Sequence, residues 1–551
     1  MHEIQVTFAD GGSLTCPFGT PAETLIEHFG VAPEKLAAVK VNNEILPLSV
    51  PLEVHAWVEP VSLETPEGTM IYRRSLAFLL AMAAQKLFPD RKLYIGHSLG
   101  NSYYYTFLVG IPAKEDIASL KWEMQALVQA DLPITVRLMA YTEALSLFKK
   151  NGQTDTALLL EERSDSKVPI NECGEFTDLY IEALVPRTGL LAVFDLIPYQ
   201  EGFLLCFPGI GQGMTLTPFE DSPIIFSVYN KYKEWGRIVG LHAVGHLNRI
   251  VRERTFKDYI RIAEAFQAKK LAEIADLIYA RKETVKIVLI AGPSSSGKTT
   301  TAKRLSIELK VMGIEPIPIG LDDYYVNTDK TPRDEKGEPD YECLEALDIP
   351  YFNQQLLDLF NGEEVSLPLY DFKTGRRREG GGRKIRLSPR TILIIEGIHS
   401  LNDALTPQIH RDTQFKLYVS ALTHLNLDDH NRIPTSDHRL LRRMVRDNQF
   451  RGASAVNTIK MWPSVQRGER RYIFPFQNGA DVAFNSALNY ELSVLKFYAE
   501  PLLHSVKPHN PEYAEAVRLL SFLRNFAPIP PQYVPGQSIL REFIGESEFK
   551  Y

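Results

Sequence analysis

The sequence has little cysteine, no excess of positive charge and no long apolar run. Its four cysteines, in 551 residues, lie far apart and form no CxxC pair, which argues against a zinc knuckle or a disulfide scaffold. The formal net charge of −7 gives no global attraction for nucleic acid or an acidic membrane, although a local basic patch stays open. The apolar stretch SLAFLLAMAAQKLF is interrupted by Gln85 and Lys86 and is too short to cross a bilayer. The N-terminus lacks a signal-peptide pattern, so we expect a cytoplasmic protein without membrane contact.

The length exceeds what one hydrophobic core holds and predicts several domains. Two hairpins, about Asp10-Gly11-Gly12 and Asn42-Asn43, indicate a small β-rich start. Proline-rich APIPPQYVPG predicts an extended segment along the surface before a last short helix. The predicted regions are a β-rich module at 1–60, a mixed α and β region at 61–225, a helical connector at 226–283, an alternating strand and helix region with a parallel sheet at 284–500, and a helical and extended tail at 501–551.

One motif carries a specific chemistry. GPSSSGKT fits the phosphate-binding pattern GxxxxGK[ST] without a mismatch, and it lies between an apolar strand and a helix, as that motif requires. Lys298 is expected to reach the β- and γ-phosphates of a nucleotide, and the Thr299 hydroxyl to ligate Mg²⁺. The candidate nucleotide-binding residues of the loop are Gly292, Pro293, Ser294, Ser295, Ser296, Gly297, Lys298, Thr299 and Thr300.

Acidic residues end the next two apolar strands. Asp322 and Asp323 follow GIEPIPIGL, where a carboxylate in the neighbouring strand can face the γ-phosphate and accept a proton from a substrate hydroxyl. Glu396 ends TILIIE, where it can hold Mg²⁺ or its waters. The alternative is that these are ordinary acids at the ends of strands.

Arginines follow at helical spacing. Arg439, Arg442, Arg443 and Arg446 share one helix face, and Arg451 lies just beyond. Guanidinium groups stabilise the charge that spreads over a phosphoryl group during its transfer, although a solvated charged face has the same pattern.

Together these elements resemble the uridine kinase and phosphoribulokinase family of P-loop kinases over about residues 284–485. The resemblance implies ATP and Mg²⁺ as cofactors and a parallel sheet flanked by helices. The resemblance implies that Asp322 is the catalytic aspartate, acting with Lys298, and that Glu396 is the metal-site glutamate, acting with Thr299. It implies that the lid arginines are Arg443, Arg446 and Arg451. On the acceptor side it implies Asp340 at the ribose hydroxyls, three aromatic residues around the base (Tyr325, Tyr370 and Phe372), and Arg377.

Two positions depart from that family. Gly375 falls where uridine kinases carry the histidine that reads the pyrimidine, and Ala453 follows Gly452 where the lid usually has another arginine. The acceptor therefore stays open between a uridine- or cytidine-like nucleoside and another small polyol. The basic stretch 373–390 is consistent with a phosphorylated substrate, with RNA, or with a solvated hairpin.

The front half resembles threonyl-tRNA synthetases. Residues 1–60 resemble the β-grasp TGS module, and 61–225 resemble the second additional, editing domain. The stretches that carry the resemblance are TPEGTMIYRRSLAFLLAMAAQKLFPDRKLYIG and GEFTDLYIEALVPRTG. The editing domain of the synthetases uses a pair of histidines, then a cysteine and a further histidine. In this sequence the four positions hold, in that order, Arg74, Phe78, Tyr180 and Leu184. The resemblance implies that the fold persists and the editing chemistry is lost. Binding of a nucleotide or RNA, regulation of the kinase, and dimerisation stay open as roles.

His242 and His246 lie one helical turn apart. The pair lacks the glutamate of HExxH, so we predict a structural role rather than a zinc site.

Two hypotheses follow from the whole sequence. One is an ATP-dependent kinase of a small-molecule hydroxyl, forming a homo-oligomer. The other is an RNA-associated protein that uses its synthetase-like half, with nucleotide binding as a switch.

Overall fold

The computed structural model describes residues 2–163, 165–333, 337, 339–371, 374–378 and 381–550. The predicted substrate residue Phe372 lies outside the described residues. Within these ranges no helix combines the length and hydropathy that crossing a membrane requires.

A small twisted sheet opens the chain, as the two hairpin signals predict. Its strand order is β2-β1-β7-β4-β5, in which β1 and β7 pair in parallel and the hairpins β1–β2 and β4–β5 are antiparallel. Asn42 and Asn43 both have positive φ in the second turn, a conformation that asparagine tolerates. The predicted helix in PAETLIEHF is a 3₁₀ helix, Ala22–His28. The strands are β1 Glu3–Phe8, β2 Ser13–Pro17, β3 Thr20–Pro21, β4 Leu36–Val41, β5 Glu44–Leu46, β6 Pro51–Leu52 and β7 Ala56–Ser62.

A long apolar helix and two antiparallel sheets form the next region. Helix α1 is apolar on most of its faces and is buried along most of its length, including Leu76, Leu79 and Leu80. The sheets have the orders β13-β14-β9-β8 and β10-β11-β12. The elements are α1 Pro66–Leu87, β8 Leu93–Ser98, β9 Ser102–Phe107, α2 Lys114–Ala130, β10 Thr135–Ala140, α3 Tyr141–Lys150, α4 Thr154–Glu161, β11 Lys167–Cys173, β12 Phe176–Leu179, β13 Asp195–Tyr199 and β14 Gly202–Cys206.

The predicted connector is helical. It consists of α5 Pro223–Ile238, α6 Val244–Arg252 and α7 Phe256–Tyr279. Its apolar face joins the same core cluster as the parallel sheet that follows, through Leu247, Leu271 and Ile278.

A parallel sheet flanked by helices confirms the predicted α/β class. Its order is β16-β21-β15-β22-β23, so β21 lies between the phosphate-loop strand β15 and the strand β16 that leads to Asp322. The prediction that this strand neighbours the phosphate-loop strand is therefore wrong, since Glu396 and not Asp322 ends the adjacent strand. The elements are β15 Ile287–Ala291, α8 Lys298–Val311, β16 Glu315–Gly320, α9 Ile349–Phe360, β17 Val365–Ser366, β18 Leu369–Asp371, β19 Arg376–Arg378, β20 Lys384–Ile385, β21 Thr391–Glu396, β22 Gln414–Ser420, α10 Thr435–Arg451, α11 Ala455–Tyr472, β23 Val482–Asn485 and α12 Glu491–His504.

The proline-rich segment of the tail lies along the surface and is anchored by two buried apolar side chains. After α13 Tyr513–Leu523, the proline-rich segment buries Ile529 and Val534 fully or nearly so, and the short helix α14 Arg541–Ile544 follows. The surface placement that the prolines suggested agrees with the structure for most of the segment, since the residues between these two buried side chains are exposed or half-buried. The predicted boundaries after residues 60, 225 and 500 fall inside β7, α5 and α12.

Candidate active site

The phosphate loop connects β15 to α8 through two residues in the left-handed region. Ser295 has a φ of +57° and Gly297 a φ of +82°, and such alternation lines backbone amides around an anion. An added Cβ at Gly292 would lie 1.9 Å from the carbonyl oxygen of Val419 in β22, so only glycine fits there. The loop therefore forms an anion-binding cradle at the N-terminus of α8.

Lys298 bends back over this loop. Its Nζ donates to the carbonyl oxygens of Gly292 at 2.9 Å and Pro293 at 3.2 Å. Burial lowers the pKa of its ammonium, whereas the carboxylates of Glu396 and Asp322 raise it. The ammonium thus lies between the loop and two acidic side chains.

Thr299 and Glu396 meet across the sheet edge. The Thr299 hydroxyl donates to Glu396 Oε1 at 2.8 Å. Burial raises the pKa of Glu396 to about 7, and Lys298 opposes that shift. A hydroxyl and a carboxylate are oxygen ligands of the kind that Mg²⁺ prefers, so the donor set fits the predicted metal.

The two aspartates after β16 differ in their surroundings. Both belong to a 3₁₀ helix, Leu321–Tyr324. Asp323 accepts the backbone N–H of Tyr370 at 3.2 Å, which ties it to β18. Solvent reaches the Asp322 side chain, but the surrounding protein raises its pKa, and the charges of Lys298, Arg451 and Arg446 oppose that rise.

Asp447 gathers the arginines at the end of α10. Arg443 Nε and Arg446 Nη2 lie 3.2 and 2.9 Å from its carboxylate, and Arg451 Nη1 lies 3.5 Å away. Arg443 also donates to Ser294 Oγ at 2.7 Å, which joins this helix to the phosphate loop. The arginine side chain at 451 is 60% exposed.

The other two arginines of the predicted face are structural. Arg439 is buried and paired with Glu469 at 2.5 Å, and Arg442 is fully buried and paired with Glu491 at 2.5 Å. Glu469 also accepts the Ser294 N–H at 2.9 Å. Both alternatives, phosphoryl stabilisation and a solvated face, are therefore wrong for this pair, because their guanidinium groups neutralise buried glutamates.

Aromatic hydroxyls collect on the acceptor side. Tyr325 and Tyr370 lie edge to face at 5.7 Å between ring centres. Thr328 Oγ1 lies 2.9 Å from the Tyr341 hydroxyl and 3.3 Å from the Tyr370 hydroxyl. An added Cβ at Gly375 would lie 2.1 Å from Thr328 Oγ1, so this cluster occupies the space beside the position of the missing histidine.

Asp340 and Arg377 have local partners. Asp340 Oδ1 accepts the backbone N–H of Glu342 at 3.0 Å. The Arg377 guanidinium pairs with Asp348 at 2.8 Å and lies 4.7 Å above the Tyr351 ring centre. Arg377 is therefore engaged in holding α9 to the basic stretch.

Three further side chains at the site escaped sequence reasoning. Burial raises the pKa of Glu342 to about 7, and burial lowers the pKa of His399, beside the Glu342 backbone, to about 4. Glu542, from α14, accepts both the backbone N–H of Thr300 at 3.2 Å and its hydroxyl at 2.5 Å. The proximity of His399 to Glu396 in IIEGIHS was a usable signal, whereas no local pattern connects Glu542 to the phosphate loop.

Three of the four replaced editing positions line one small cavity where the front half meets the C-terminal half. Arg74, Phe78 and Leu184 line it together with His430 and Asn431 from the segment after β22. Arg74 pairs with Glu182, and the Phe78 ring packs against Phe176. These contacts are structural, with an ion pair and aromatic packing where the synthetase carries histidines.

A phosphate loop with an oxygen-ligand pair beside it defines a P-loop nucleotide-binding domain. Residues 287–493 match the model of the Phosphoribulokinase / Uridine kinase family. Among solved structures, one described as "a Possible Uridine Kinase" from Bacillus stearothermophilus aligns with 23% identity and a TM-score of 0.25, over 39% of this chain and 98% of that chain. D-glycerate 3-kinase from Cryptococcus neoformans aligns with 16% identity and a TM-score of 0.21, over 50% of this chain and 88% of that chain.

The N-terminal half is similar to a different class of protein. A threonine–tRNA ligase from Geobacter sp. (strain M21) is 34% identical over 198 residues, which are 36% of this chain and 31% of that ligase. The chain thus spans about a third of the length of the curated relatives it matches, and the match to the kinase family lies in its C-terminal half.

Proposed function

We propose that the protein is an ATP-dependent kinase that transfers a phosphoryl group to a hydroxyl of a nucleoside or a related small polyol. The carrying observation is that Lys298 closes over the phosphate loop and the Thr299 hydroxyl joins that loop to Glu396 at 2.8 Å, at the end of the sheet where Asp322 also follows its strand. The match to a kinase family over residues 287–493 supports the same reaction class.

The residues divide the work of phosphoryl transfer. When bound, ATP supplies the phosphoryl group, and Mg²⁺ held by Thr299 and Glu396 neutralises its charge. Asp322 orients the acceptor hydroxyl and takes its proton, since the surrounding protein raises its pKa and so makes the carboxylate a stronger base. Lys298, Arg443 and Arg446 stabilise the developing negative charge, and Arg451 contacts the nucleotide.

The acceptor side favours a hydroxyl-rich molecule. Tyr325, Tyr341, Tyr370 and Thr328 supply hydroxyls and ring faces, whereas Gly375 leaves no imidazole to read a pyrimidine. Asp340 is proposed to bind the hydroxyl groups of the acceptor. A nucleoside with a loosely read base and a free polyol are the two acceptor classes that this lining supports.

A coupled ADP-release screen over nucleosides, sugar phosphates and polyols tests the proposal, with Asp322→Asn as the decisive variant. We expect one acceptor class to release ADP and Asp322→Asn to lower that turnover about 100- to 10,000-fold, while ATP affinity changes little. Asp323→Asn is the matched control, because its carboxylate accepts from the Tyr370 backbone. Wild-type turnover in Asp322→Asn would mean that Asp322 is not the catalytic base. The absence of ADP release with every acceptor would refute the proposal that the protein is a kinase.

The second candidate is an RNA-associated protein, favoured by the similarity of the front half to threonine–tRNA ligases. The basic stretch offers it limited support, since Arg377, Lys384 and Arg390 are paired with Asp348, Glu364 and Glu315. Transfer RNA binding that weakens steeply with salt, together with an inactive kinase screen, would favour this candidate.

A further inference from the structure

The helices α4 and α6 bring three metal-ligating side chains to one point outside the candidate active site. Asp155 lies in the first turn of α4, His242 lies two residues before the start of α6, and His246 lies in the first turn of α6. Gly245 permits this approach, because an added Cβ there would lie 2.8 Å from Leu158 Cγ. The glycine beside the second histidine thus has a packing role that brings the imidazoles to α4.

We propose that Asp155, His242 and His246 bind a divalent transition metal ion of the zinc type. Each of the three offers one ligand atom, and these atoms all lie within 4.8 Å of one another. Asp155 Oδ1 is 3.3 Å from His242 Nε2. Two ligands about 2.0–2.1 Å from a shared tetrahedral zinc ion are about 3.3 Å apart, so this pair is already spaced for coordination.

The second histidine is in a form suited to coordination. Its Nδ1 is buried and, among the described residues, has no hydrogen-bond partner. A buried imidazole nitrogen without a hydrogen-bond partner is available to ligate a metal.

The surrounding charges accommodate a cation. Lys92 Nζ contacts the other oxygen of Asp155 at 3.0 Å and also pairs with Asp429. Two carboxylates share this ammonium, which leaves one negative charge before the metal is counted. The ammonium also orients the Asp155 carboxylate with Oδ1 toward the histidines, in the manner of outer-shell partners that fix metal ligands.

The ligand set selects the kind of metal. Two imidazoles and one carboxylate suit Zn²⁺, Co²⁺ or Ni²⁺, whereas Mg²⁺ and Ca²⁺ prefer oxygen ligands alone. The site is therefore chemically distinct from the Thr299–Glu396 pair. The histidine spacing alone predicted a structural role, and the third ligand comes from a helix far upstream that no motif connects to the pair.

Cobalt spectroscopy on the full-length, chelator-treated protein tests the site. We expect one Co²⁺ per chain to bind with the visible absorption of a tetrahedral or five-coordinate site, and Zn²⁺ but not Mg²⁺ to displace it. His246→Ala and Asp155→Asn should each weaken Co²⁺ binding at least about tenfold. His410→Ala is the matched control, because that histidine is 77% exposed and lies near Asp412 at the surface.

Thermal unfolding keeps the test decisive if Asp155→Asn is unstable. Zn²⁺ should raise the unfolding midpoint of the wild type and of His410→Ala but not that of His246→Ala, since binding only to the folded state stabilises it. Absence of the Co²⁺ absorption, or an unchanged affinity in a folded His246→Ala, would overturn the proposal.

Discussion

The Thr299–Glu396 contact joins the phosphate loop to the adjacent strand through one hydrogen bond. We expect Glu396→Gln to raise the Mg²⁺ concentration for half-maximal kinase activity at least about tenfold, because the amide removes the negative charge that holds the ion. Titration of Mg²⁺ in the ADP-release assay measures this. Glu315→Gln, at the opposite end of the neighbouring strand and paired with Arg390, should match the wild type. An unchanged Mg²⁺ requirement in Glu396→Gln would remove Glu396 from the metal site.

Glu542 places a carboxylate on the amide that begins the phosphate-binding helix. Since Thr300 donates both its N–H and its hydroxyl to Oε2, this carboxylate competes with, and repels, a phosphate at the same helix end. Glu542→Gln should therefore tighten ATP binding about tenfold, as expected from roughly 1.5 kcal/mol for one charge-assisted hydrogen bond.

Equilibrium binding of a fluorescent ATP analogue measures the effect of Glu542→Gln. Glu548→Gln is the control, because Glu548 accepts from Gln537 within the tail. Weaker binding in Glu542→Gln would mean that the carboxylate orients Thr300 for the nucleotide instead of competing with it.

Among the elements, α10 combines structural and functional arginines on neighbouring turns. Arg442 is buried against Glu491, whose pKa burial alone would raise but Arg442 and His438 hold at about 2. Arg442→Met should cost about 3–5 kcal/mol of unfolding free energy, because it removes the guanidinium partner of a buried carboxylate and leaves His438 as the remaining cation beside it. Arg446→Met should cost less unfolding free energy than Arg442→Met, because Asp447 keeps Arg443 and Arg451 as partners, and it should instead lower turnover, since the charge of Arg446 acts on Asp322.

Urea unfolding and ADP release, measured on both variants, separate these roles. Equal losses of stability in the two variants would contradict the division of α10. So would full turnover in Arg446→Met.

Elements with strong local patterns were predictable, and their neighbours in space were not. The apolar runs of β15 and β21 and the glycine loop between β15 and α8 gave these elements directly, because burial and backbone geometry dictate their residues. Strand order was not predictable, since several parallel orders satisfy the same runs. The partners of Arg439 and Arg442 were equally hidden, because Glu469 and Glu491 lie on later helices and ion pairing has no sequence period.

At the scale of the whole molecule, charged side chains connect the synthetase-like half to α10. Arg74 pairs with Glu182, which lies 3.4 Å from Arg518, and Arg518 pairs with Asp437 in the first turn of α10 at 2.6 Å. Asp429, from the segment before α10, accepts the Thr156 N–H at 2.8 Å. The two halves of the chain therefore meet at α10, the helix that carries the arginines gathered by Asp447 beside the phosphate loop.

His430 gives this junction a dependence on pH. It lies in the segment before α10 and contacts Asp178 of β12 at 3.2 Å, with Gln153 at 3.4 Å. Burial alone would lower the pKa of His430, but the charges of Asp178 and of the adjacent Asp429 and Asp428 raise it to about 9. The ring is therefore protonated in the folded protein near neutrality.

The sign of the resulting effect follows from the pKa difference. The pKa of His430 is about 9 in the folded protein and about 6.5 in the unfolded chain. Protonation of His430 therefore stabilises the folded protein by its full amount below pH 6.5, and this stabilisation is lost as the pH rises through 9. The shift corresponds to at most about 3 kcal/mol. Burial, with nearby carboxylates, raises the pKa of Asp428 to about 7. The titration of Asp428 therefore changes the stability of the protein below pH 7. The change in stability above pH 7 reflects the titration of His430.

We expect the unfolding midpoint of the wild type to fall between pH 7 and pH 9.5 and that of His430→Asn to change much less, because asparagine cannot carry the charge that Asp178 requires. Thermal unfolding at stepped pH measures both proteins, and His410→Asn, at the surface, should follow the wild type. At pH 7 the variant should also be the less stable protein, since it leaves the buried Asp178 carboxylate without its cation. Parallel pH curves for wild type and His430→Asn would mean that the His430–Asp178 pair does not hold the two halves together.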